Sequence, residues 1–390
     1  MSINDAAIVG YAETKIERNS GRDIWDFGGE VLSSLLASTG IEKDEIDGML
    51  VNGSMTGAGN AFWSQTTADY LGLELRFCQT VDRGGSSAVA AVARAAAALE
   101  AGLCSTILLL NADTQSTENN LRMRSYHGEF VDPFGSIGPA TDFGLLSTRY
   151  DHLYGLDHRA LGKIAVTLRE HALLNELGSD KLRKPLDIEA YLNSPMVADP
   201  VRMLDCVMVC DGANGLLMTT RKRAKEKKFD KFVVPLGYGE RSNYRASENI
   251  VDITESGHLV AGQHAFAQAG IGLADIGSAH LYDDFIIAVM LQLEMFGFAK
   301  KGQGCAFVQD TNLRFDGDLP INTSGGQMSA GQAGLAGGGT LLIEAVRQLF
   351  GEGGVRQVRN NAHALVSGIG WIPYGRHWGT TTALILGSEG

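Results

Sequence analysis

The sequence predicts an α/β fold in which a mixed sheet carries helices on its faces, and three observations support that expectation. Short buried strands alternate with helices along the chain. An apolar helix rich in alanine follows a glycine turn within residues 80–102. Motifs of the first half then return, in the same order, in the second half. At 390 residues the chain is too long for one small core, so two or three structural units are expected.

Taken in order, residues 6–10 read as a buried strand, 24–37 as an amphipathic helix, and 46–51 as a second strand after a break at 40–45. Helix 66–71 leads into TVDRGGSSAVAAVARAAAALEAG, residues 80–102. Here Thr80 and Val81 approach the pair Gly84-Gly85, and Ser86 or Ser87 is placed to cap a helix running to about Ala101. Arg94 is its only charge before Glu100, so the helix has no solvent face and should cross the middle of the protein. Its first N–H groups and its dipole offer positive potential at Gly85 and Ser86. Residues 104–112, CSTILLLNA, form another buried strand. Between 118 and 202 the periodicity weakens apart from a helix near 159–174, and the stretch reads as an insertion. Regular structure resumes at 204–207 and 215–218.

The internal echo sets the domain organisation. Gly10-Tyr11-Ala12-Glu13 returns as Gly237-Tyr238-Gly239-Glu240, each after a buried strand. Residues 36–41, followed by Glu45-Ile46, return as 266–271, followed by Asp275-Ile276. The apolar helix finds its partner in 335–350, again led by glycines. Residues 1–117 with 203–228 are thus expected to form one half, 229–390 the other, and 118–202 an inserted loop region. Two such halves would bring two helix N-termini to one shared site.

Composition narrows the function classes. With 44% hydrophobic and 20% charged residues the chain is that of a soluble globular protein. No apolar run approaches the ~20 residues of a membrane span, and residues 1–10 lack a basic-then-apolar signal, so a cytoplasmic location and no membrane partner are expected. Five scattered cysteines argue against a disulfide framework. Cys206 and Cys210 have no second pair, so no metal site is expected. A net charge of −12 argues against nucleic acid as a partner. Neither GxGxxG at a strand–helix junction nor GxxxxGK[ST] is present, which excludes those phosphate loops.

Further motifs carry a family resemblance: Asp199-Pro200 with Leu204-Asp205-Cys206; Cys210-Asp211-Gly212-Ala213; Tyr282-Asp283-Asp284-Phe285 with Glu294 and Gly297; and Asn322-Thr323-Ser324-Gly325-Gly326 followed by Glu344 and Gln348-Leu349. In their order and spacing they resemble the thiolase superfamily, most closely its sterol-carrier and lipid-transfer branch, over nearly the whole chain. The resemblance implies two duplicated βαβαβαββ halves in five αβαβα layers. It also shows a departure. The position of the acyl-carrying cysteine at the tip of the central helix is Gly85, which has no side chain to acylate. Tyr282 replaces the histidine of His-x-x-Phe, Gln332 that of Gly-His-Pro, and Ser367 the late cysteine. These replacements exclude the ping-pong Claisen reaction of the family.

A pocket of this kind can still stabilise a thioester enolate, and a retro-aldol cleavage needs only that and proton transfer. The resemblance to steroid side-chain-cleaving aldolases implies a β-hydroxyacyl-CoA with a bulky, steroid-like side chain as substrate, cleaved to a ketone or aldehyde and a shortened acyl-CoA. Coenzyme A enters as part of the substrate and no cofactor is covalently bound. Tyr282 is the expected proton carrier. A second tyrosine of the group is replaced by Gln332, which leaves Asp283, Tyr126, His127 and Tyr374 as alternatives. Of Asp283 and Asp284, strand alternation allows at most one to face the site. Asn322 is implied to hold a water against the thioester oxygen. Gly85, Ser86, Gly325, Gly326, Ser367 and Gly368 are expected to line the substrate, the glycines by close backbone approach. Residues 221–231 read as a solvated helix face, with contact between Arg221 and the phosphates of coenzyme A as the alternative. The resemblance further implies a homodimer and a small partner with an OB-fold and a zinc ribbon, in an α2β2 complex.

Three other functions compete. One is a non-catalytic acyl-CoA or lipid-binding subunit, and another an atypical acyl-CoA acyltransferase or thiolase. The third is serine chemistry at Ser86, with Asp283 and His363 or His377 following in the chain order of a nucleophile elbow.

Overall fold

The computed structural model describes residues 3–57, 59–118, 128–248, 251–372 and 377–389. The strands are β1 (Ala6–Glu13), β2 (Gly48–Asn52), β3 (Phe77–Val81), β4 (Thr106–Asp113), a short ribbon of β5 (Met196–Ala198) and β6 (Val201–Arg202), then β7 (Gly212–Thr220), β8 (Phe232–Ser242), β9 (Ser278–His280), β10 (His363–Trp371) and β11 (Thr380–Glu389). Apart from the ribbon, they follow the order β3-β2-β4-β7-β1-β8-β11-β10-β9.

The order hides a duplication. In the first half β2 pairs in parallel with β3 and β4, β4 runs antiparallel to β7, and β7 antiparallel to β1. In the second half β9 pairs in parallel with β10, β10 antiparallel to β11, and β11 antiparallel to β8. The counterpart of β3 is reduced to one parallel bridge between Ala279 and Ile321. The two half-sheets join through a single residue pair, Ile8 and Val233. Between them lie the helices Ser87–Glu100 and Gly337–Phe350, which touch strands of both halves. Ile24–Thr39 covers the outer face of the first half, and His258–Ala269 that of the second. This is the five-layered thiolase-type arrangement that the motifs imply.

Local chemistry explains the repeated elements. Asp23 caps the first helix by accepting from the N–H groups of Trp25 and Asp26 at 2.8 and 2.9 Å, and Gly40 ends it with φ of 66°. The echoed glycines mark where that helix and its counterpart press onto their strands. A Cβ on Gly10 would collide with Thr39; one on Gly237 would collide with the carbonyl of Ala265 and stand 2.9 Å from the amide of Ala269. The central helix is buried along its length from Ser87 to Leu99 except at Ala93, Arg94 and Ala97, and Arg94 reaches Glu240 at 3.1 Å.

The expected loop region holds more structure than its periodicity suggests. Pro139–Tyr154 is a helix as well as His158–Leu173. The second packs on Gly326–Ala330 and Gly304–Asp310 of the C-terminal half. It is the helix expected near 159–174, and its enclosed residues Ile164, Leu168 and His171 recur at helical spacing on one face. The stretch expected at 204–207 is a single turn, Met203–Asp205, followed by a lone bridge from Cys206 to Phe285. Among the described residues no helix is long and apolar enough to cross a membrane.

Because Gly237 admits no side chain beneath the helix, Gly237→Ala should lower the free energy of unfolding by about 1–3 kcal/mol, the usual cost of overpacking. The midpoint of denaturant unfolding should fall at unchanged slope.

Candidate active site

β3 delivers the chain to Gly84-Gly85-Ser86, a tight turn that runs directly into the central helix. Gly84 adopts φ of 57°, open to glycine without strain. Neither serine caps the helix, contrary to the sequence expectation. Ser86 Oγ donates to the Arg83 carbonyl at 2.8 Å and Ser87 Oγ to the Gly84 carbonyl at 2.7 Å. Both hydroxyls point backwards because β10 is pressed onto the turn: a Cβ on Gly368 would lie 2.7 Å from Cα of Ser86. Gly368 thus approaches the turn rather than a ligand. His363 faces the Asp275 carbonyl at 3.1 Å and His377 faces Asn243 at 3.4 Å. The hydroxyl of Ser86 therefore has a carbonyl partner in place of a histidine, and the serine triad does not form.

The second half supplies the opposite wall. The helix Gly337–Phe350 begins so close to the turn that a Cβ on Gly338 would run into the carbonyl of Gly85. The two positive helix ends therefore converge, as the duplication predicts. Tyr282 enters this space from the segment after β9. A Cβ on Gly85 would overlap the Tyr282 hydroxyl and stand 2.6 Å from the Ile369 carbonyl. The phenol thus occupies the room that a side chain at Gly85 would need. Burial, then the charge of Asp284, push the Tyr282 hydroxyl well above its usual pKa, while hydrogen bonds to Gln327 and Gln332 pull it down. Gln332 Nε2 donates to Gln327 Oε1 at 3.2 Å, so the two amides act as one hydrogen-bonding unit. Gln332 is half-buried and connects Tyr282 with the surface.

Several expected lining residues turn out to hold this tyrosine in place. Ser367 accepts the Tyr282 N–H at 2.9 Å and donates to Gln292, whose amide returns to the Tyr282 carbonyl at 2.8 Å. Asn322 grips the neighbouring residue on both sides, accepting from Leu281 N–H at 2.7 Å and donating to Leu281 C=O at 2.8 Å. With both amide atoms on backbone and no exposure, Asn322 shapes the turn instead of presenting its amide to a water. Gly325 and Gly326 are also corrected. Their φ values are 94° and 60°, and a Cβ on either would strike Ala172 or the Asp283 carboxylate, so their close approach is to protein.

Asp283, taken from the sequence as a proton carrier, is an anchor in the structure. Its carboxylate is fully enclosed and accepts from the N–H groups of Gln327 at 3.0 Å and Met328 at 3.4 Å. Burial pushes it up to about 6 against the pull of those amides. Asp284 is half-buried, and one of its oxygens is shut off from solvent without a hydrogen-bond partner. Gln327 was missed by the sequence reading; its only signal was its place directly after the diglycine of the Asn322 turn. Arg221 lies at the far end of β7, nine residues of strand from Gly212 near Gln332, and pairs with Glu389. That distance, roughly 30 Å of extended chain, and its carboxylate partner remove it from the site. His127, Tyr126 and Tyr374 lie outside the described residues.

Buried histidines support the walls as neutral rings. His258 Nε2 faces the Gly368 carbonyl at 3.2 Å and must carry the proton, leaving Nδ1 to accept from Ser256 at 2.8 Å. His171 Nε2 accepts the Phe315 N–H at 3.0 Å, so its Nδ1 donates to the Asn322 carbonyl at 3.3 Å. Burial lowers them to about 3 and about 4. Among the described residues no group of three or more His, Cys, Asp or Glu side chains could hold a metal ion.

These features define a thiolase scaffold without the thiolase nucleophile, and comparison with known proteins agrees. Residues 239–387 match the family model described as thiolase C-terminal domain-like. The chain is 32% identical to the 17-hydroxy-3-oxo-4-pregnene-20-carboxyl-CoA lyase of Mycobacterium tuberculosis, over 99% of this chain and 100% of that protein. It is 30% identical to the steroid side-chain-cleaving aldolase of Thermomonospora curvata, over 98% of each. Among solved structures, the Ltp2-ChsH2(DUF35) aldolase superposes with a TM-score of 0.85 at 29% identity, covering 98% of both chains. A monomeric SCP2-thiolase-like protein type 1 from Mycobacterium smegmatis gives 0.72 at 18% identity over 99% of this chain and 78% of that one, a likeness of fold. The chain belongs to the thiolase superfamily, in its branch of thiolase-like retro-aldolases.

The neutral histidines set a pH dependence. From pH 6.5 down to about 3 the unfolded chain binds a proton at His258 that the native ring refuses, so stability falls with pH in that window. His258→Gln should flatten the curve there by about 1.4 kcal/mol per pH unit, measured as denaturation midpoints from pH 7 to 4.

Proposed function

We propose that the chain cleaves a β-hydroxyacyl thioester of coenzyme A with a bulky, steroid-like acyl part, releasing a ketone or aldehyde and a shortened acyl-CoA. The observation that carries this reading is the Tyr282 hydroxyl standing in the space of a Gly85 side chain, between two converging helix N-termini. A proton-bearing group occupies the place where a thiolase keeps its thiol. The acyl group then has no nucleophile to bond with, but it can exchange a proton.

The reaction follows from that placement. A base takes the proton of the substrate's β-hydroxyl, the oxygen forms a carbonyl, and the Cα–Cβ bond breaks. Its electron pair passes to the α-carbon and the thioester oxygen as an enolate, and an acid protonates the α-carbon. Tyr282 is the acid: its pKa lies far above neutrality, so it holds its proton until a carbanion develops beside it. The helix dipoles and the amide of Gln332 favour the negative thioester oxygen. No covalently bound cofactor is needed, because every step is a proton transfer or a bond cleavage within the substrate. The steroid class and the thioester come from the names of the relatives. The similar solved aldolase is named for a DUF35 component, which supports a partner of that kind. On the family resemblance alone, we extend this to a homodimer of this chain in an α2β2 assembly.

The test supplies the chain, alone and with a DUF35-type partner, with a β-hydroxyacyl-CoA bearing a polycyclic side chain. Ketone plus shortened acyl-CoA in equal amounts is the expected result; binding without cleavage would instead make it a non-catalytic acyl-CoA-binding subunit. Tyr282→Phe should lower kcat by about 10²–10⁴ while leaving the unfolding midpoint near wild type. Gly85→Cys should also lose cleavage, since its side chain collides with Tyr282, and intact-protein mass spectrometry after exposure to acyl-CoA should show no acyl adduct.

A further inference from the structure

The retro-aldol reading leaves one role without a residue, the base for the β-hydroxyl. Tyr282 is committed as the acid, and Asp283 is enclosed by the Gln327 and Met328 amides against Gly326. After β9 the chain continues without a turn through Tyr282 and Asp283 and bends at Asp284. In such extended chain, alternate residues share a side. Asp283 points to the Asn322 turn, so Tyr282 and Asp284 face the other way together. Consistent with this, Asp284 exerts a larger charge effect on Tyr282 than Asp283 does.

Resting on that reading, we propose that Asp284 is the catalytic base that accepts the β-hydroxyl proton of the substrate, working opposite Tyr282. Its Oδ1 is cut off from solvent with no hydrogen-bond partner of good geometry, although the Phe285 and Asp284 N–H groups lie close enough to favour the carboxylate in part, so a donor from a ligand can complete it. Among the described residues no cation pairs with it. The titratable groups around it are Tyr282 and Asp283 on its own segment and Cys206 on the segment bridged to Phe285; none carries positive charge at neutral pH. Phe285 in turn stacks on Phe143 of the inserted helix, with ring centroids 4.1 Å apart. Phe285 follows Asp284 directly in the chain, and Asp142 precedes Phe143 on that helix.

Burial and the neighbouring Asp283 push Asp284 up to about 8, near working pH, where a carboxylate is a stronger base than an ordinary one. The proton count closes. Asp284 carboxylate takes the hydroxyl proton as the C–C bond breaks, and Tyr282 gives its own proton to the α-carbon. The Asp284 carboxyl then returns a proton to the Tyr282 phenolate on the same side of the chain. The enzyme ends as it began, with one proton moved from substrate oxygen to substrate carbon.

The experiment uses the full chain with its partner, measuring kcat, KM and the pH profile for wild type, Asp284→Asn, Asp284→Glu and Asp142→Asn. In wild type kcat/KM should rise with pH through about 8, because the base must be ionised. Asp284→Asn should lower kcat by about 10²–10⁴ at little change in KM and abolish that limb. Asp284→Glu should restore part of the rate with the limb displaced, and Asp142→Asn should keep the limb. Thermal unfolding of each variant identifies misfolding, and the Glu variant keeps the test valid if the Asn variant is unstable. If wild type cleaves and Asp284→Asn cleaves at a similar rate with the same limb, the role of Asp284 is refuted while the retro-aldolase stands. If wild type and partner cleave no β-hydroxyacyl-CoA, both fall together.

Discussion

The exclusion between a side chain at Gly85 and the phenol of Tyr282 organises the rest of this molecule. The first turns of two helices meet at Gly85 and Gly338, and a side chain at Gly85 would overlap the Tyr282 hydroxyl. In a thiolase the functional group there is a thiol carried by the helix tip. Here the tip is bare and the group arrives from the opposite half, on the segment after β9. The exchange alters the chemistry without altering the field: the same helix dipoles act on a proton donor in place of a nucleophile. Glycine recurs in and around the turn, at Gly84, Gly338, Gly368 and Gly370, where a Cβ would strike backbone of a facing element.

Holding a buried phenol in that gap requires that its surroundings be rigid and already satisfied. Ser367 and Gln292 fix the Tyr282 backbone, and Asn322 fixes that of Leu281. Thr323, next in the same turn, donates to Glu344 at 2.7 Å, and Glu344 pairs with Arg347 at 2.6 Å and Arg356 at 3.2 Å. Burial works to raise the Glu344 carboxyl, but the two guanidinium groups hold it down to about 2. The site therefore separates two kinds of acid. Glu344 is compensated by cations and belongs to the scaffold. Among the described residues Asp283 and Asp284 have no cation partner, and burial raises them to about 6 and about 8, as groups at reacting centres often are.

The two halves share a plan and have divided the work. The first gives the glycine turn and the exposed edge of β3; the second gives Tyr282, the Asn322 turn and the Gln327–Gln332 pair. The inserted region joins them by packing rather than by pairing strands. His171 reaches the Asn322 carbonyl, and Phe143 stacks on Phe285 beside Asp284. The helix Pro139–Tyr154 buries Gly144 and Ser147 among its apolar residues, so it leaves a weak periodic signal, whereas His158–Leu173 was legible.

What the sequence determined by itself was whatever depends on local pattern and on repetition. The alternation of buried strands and helices and the echo of Gly10 at Gly237 establish the duplicated scaffold, and Gly85 removes the side chain that carries the acyl group in a thiolase. The roles of Tyr282, Ser367, Asn322 and the two aspartates were not decided there. A motif names a residue but leaves open which neighbours its polar atoms meet. Only the folded chain shows that Asn322 grips Leu281, that Gly326 makes room for Asp283, and that the Gln327 N–H anchors Asp283. Those facts arise from contacts between segments forty or more residues apart, where hydrogen bonding and excluded volume, not sequence spacing, choose the partner.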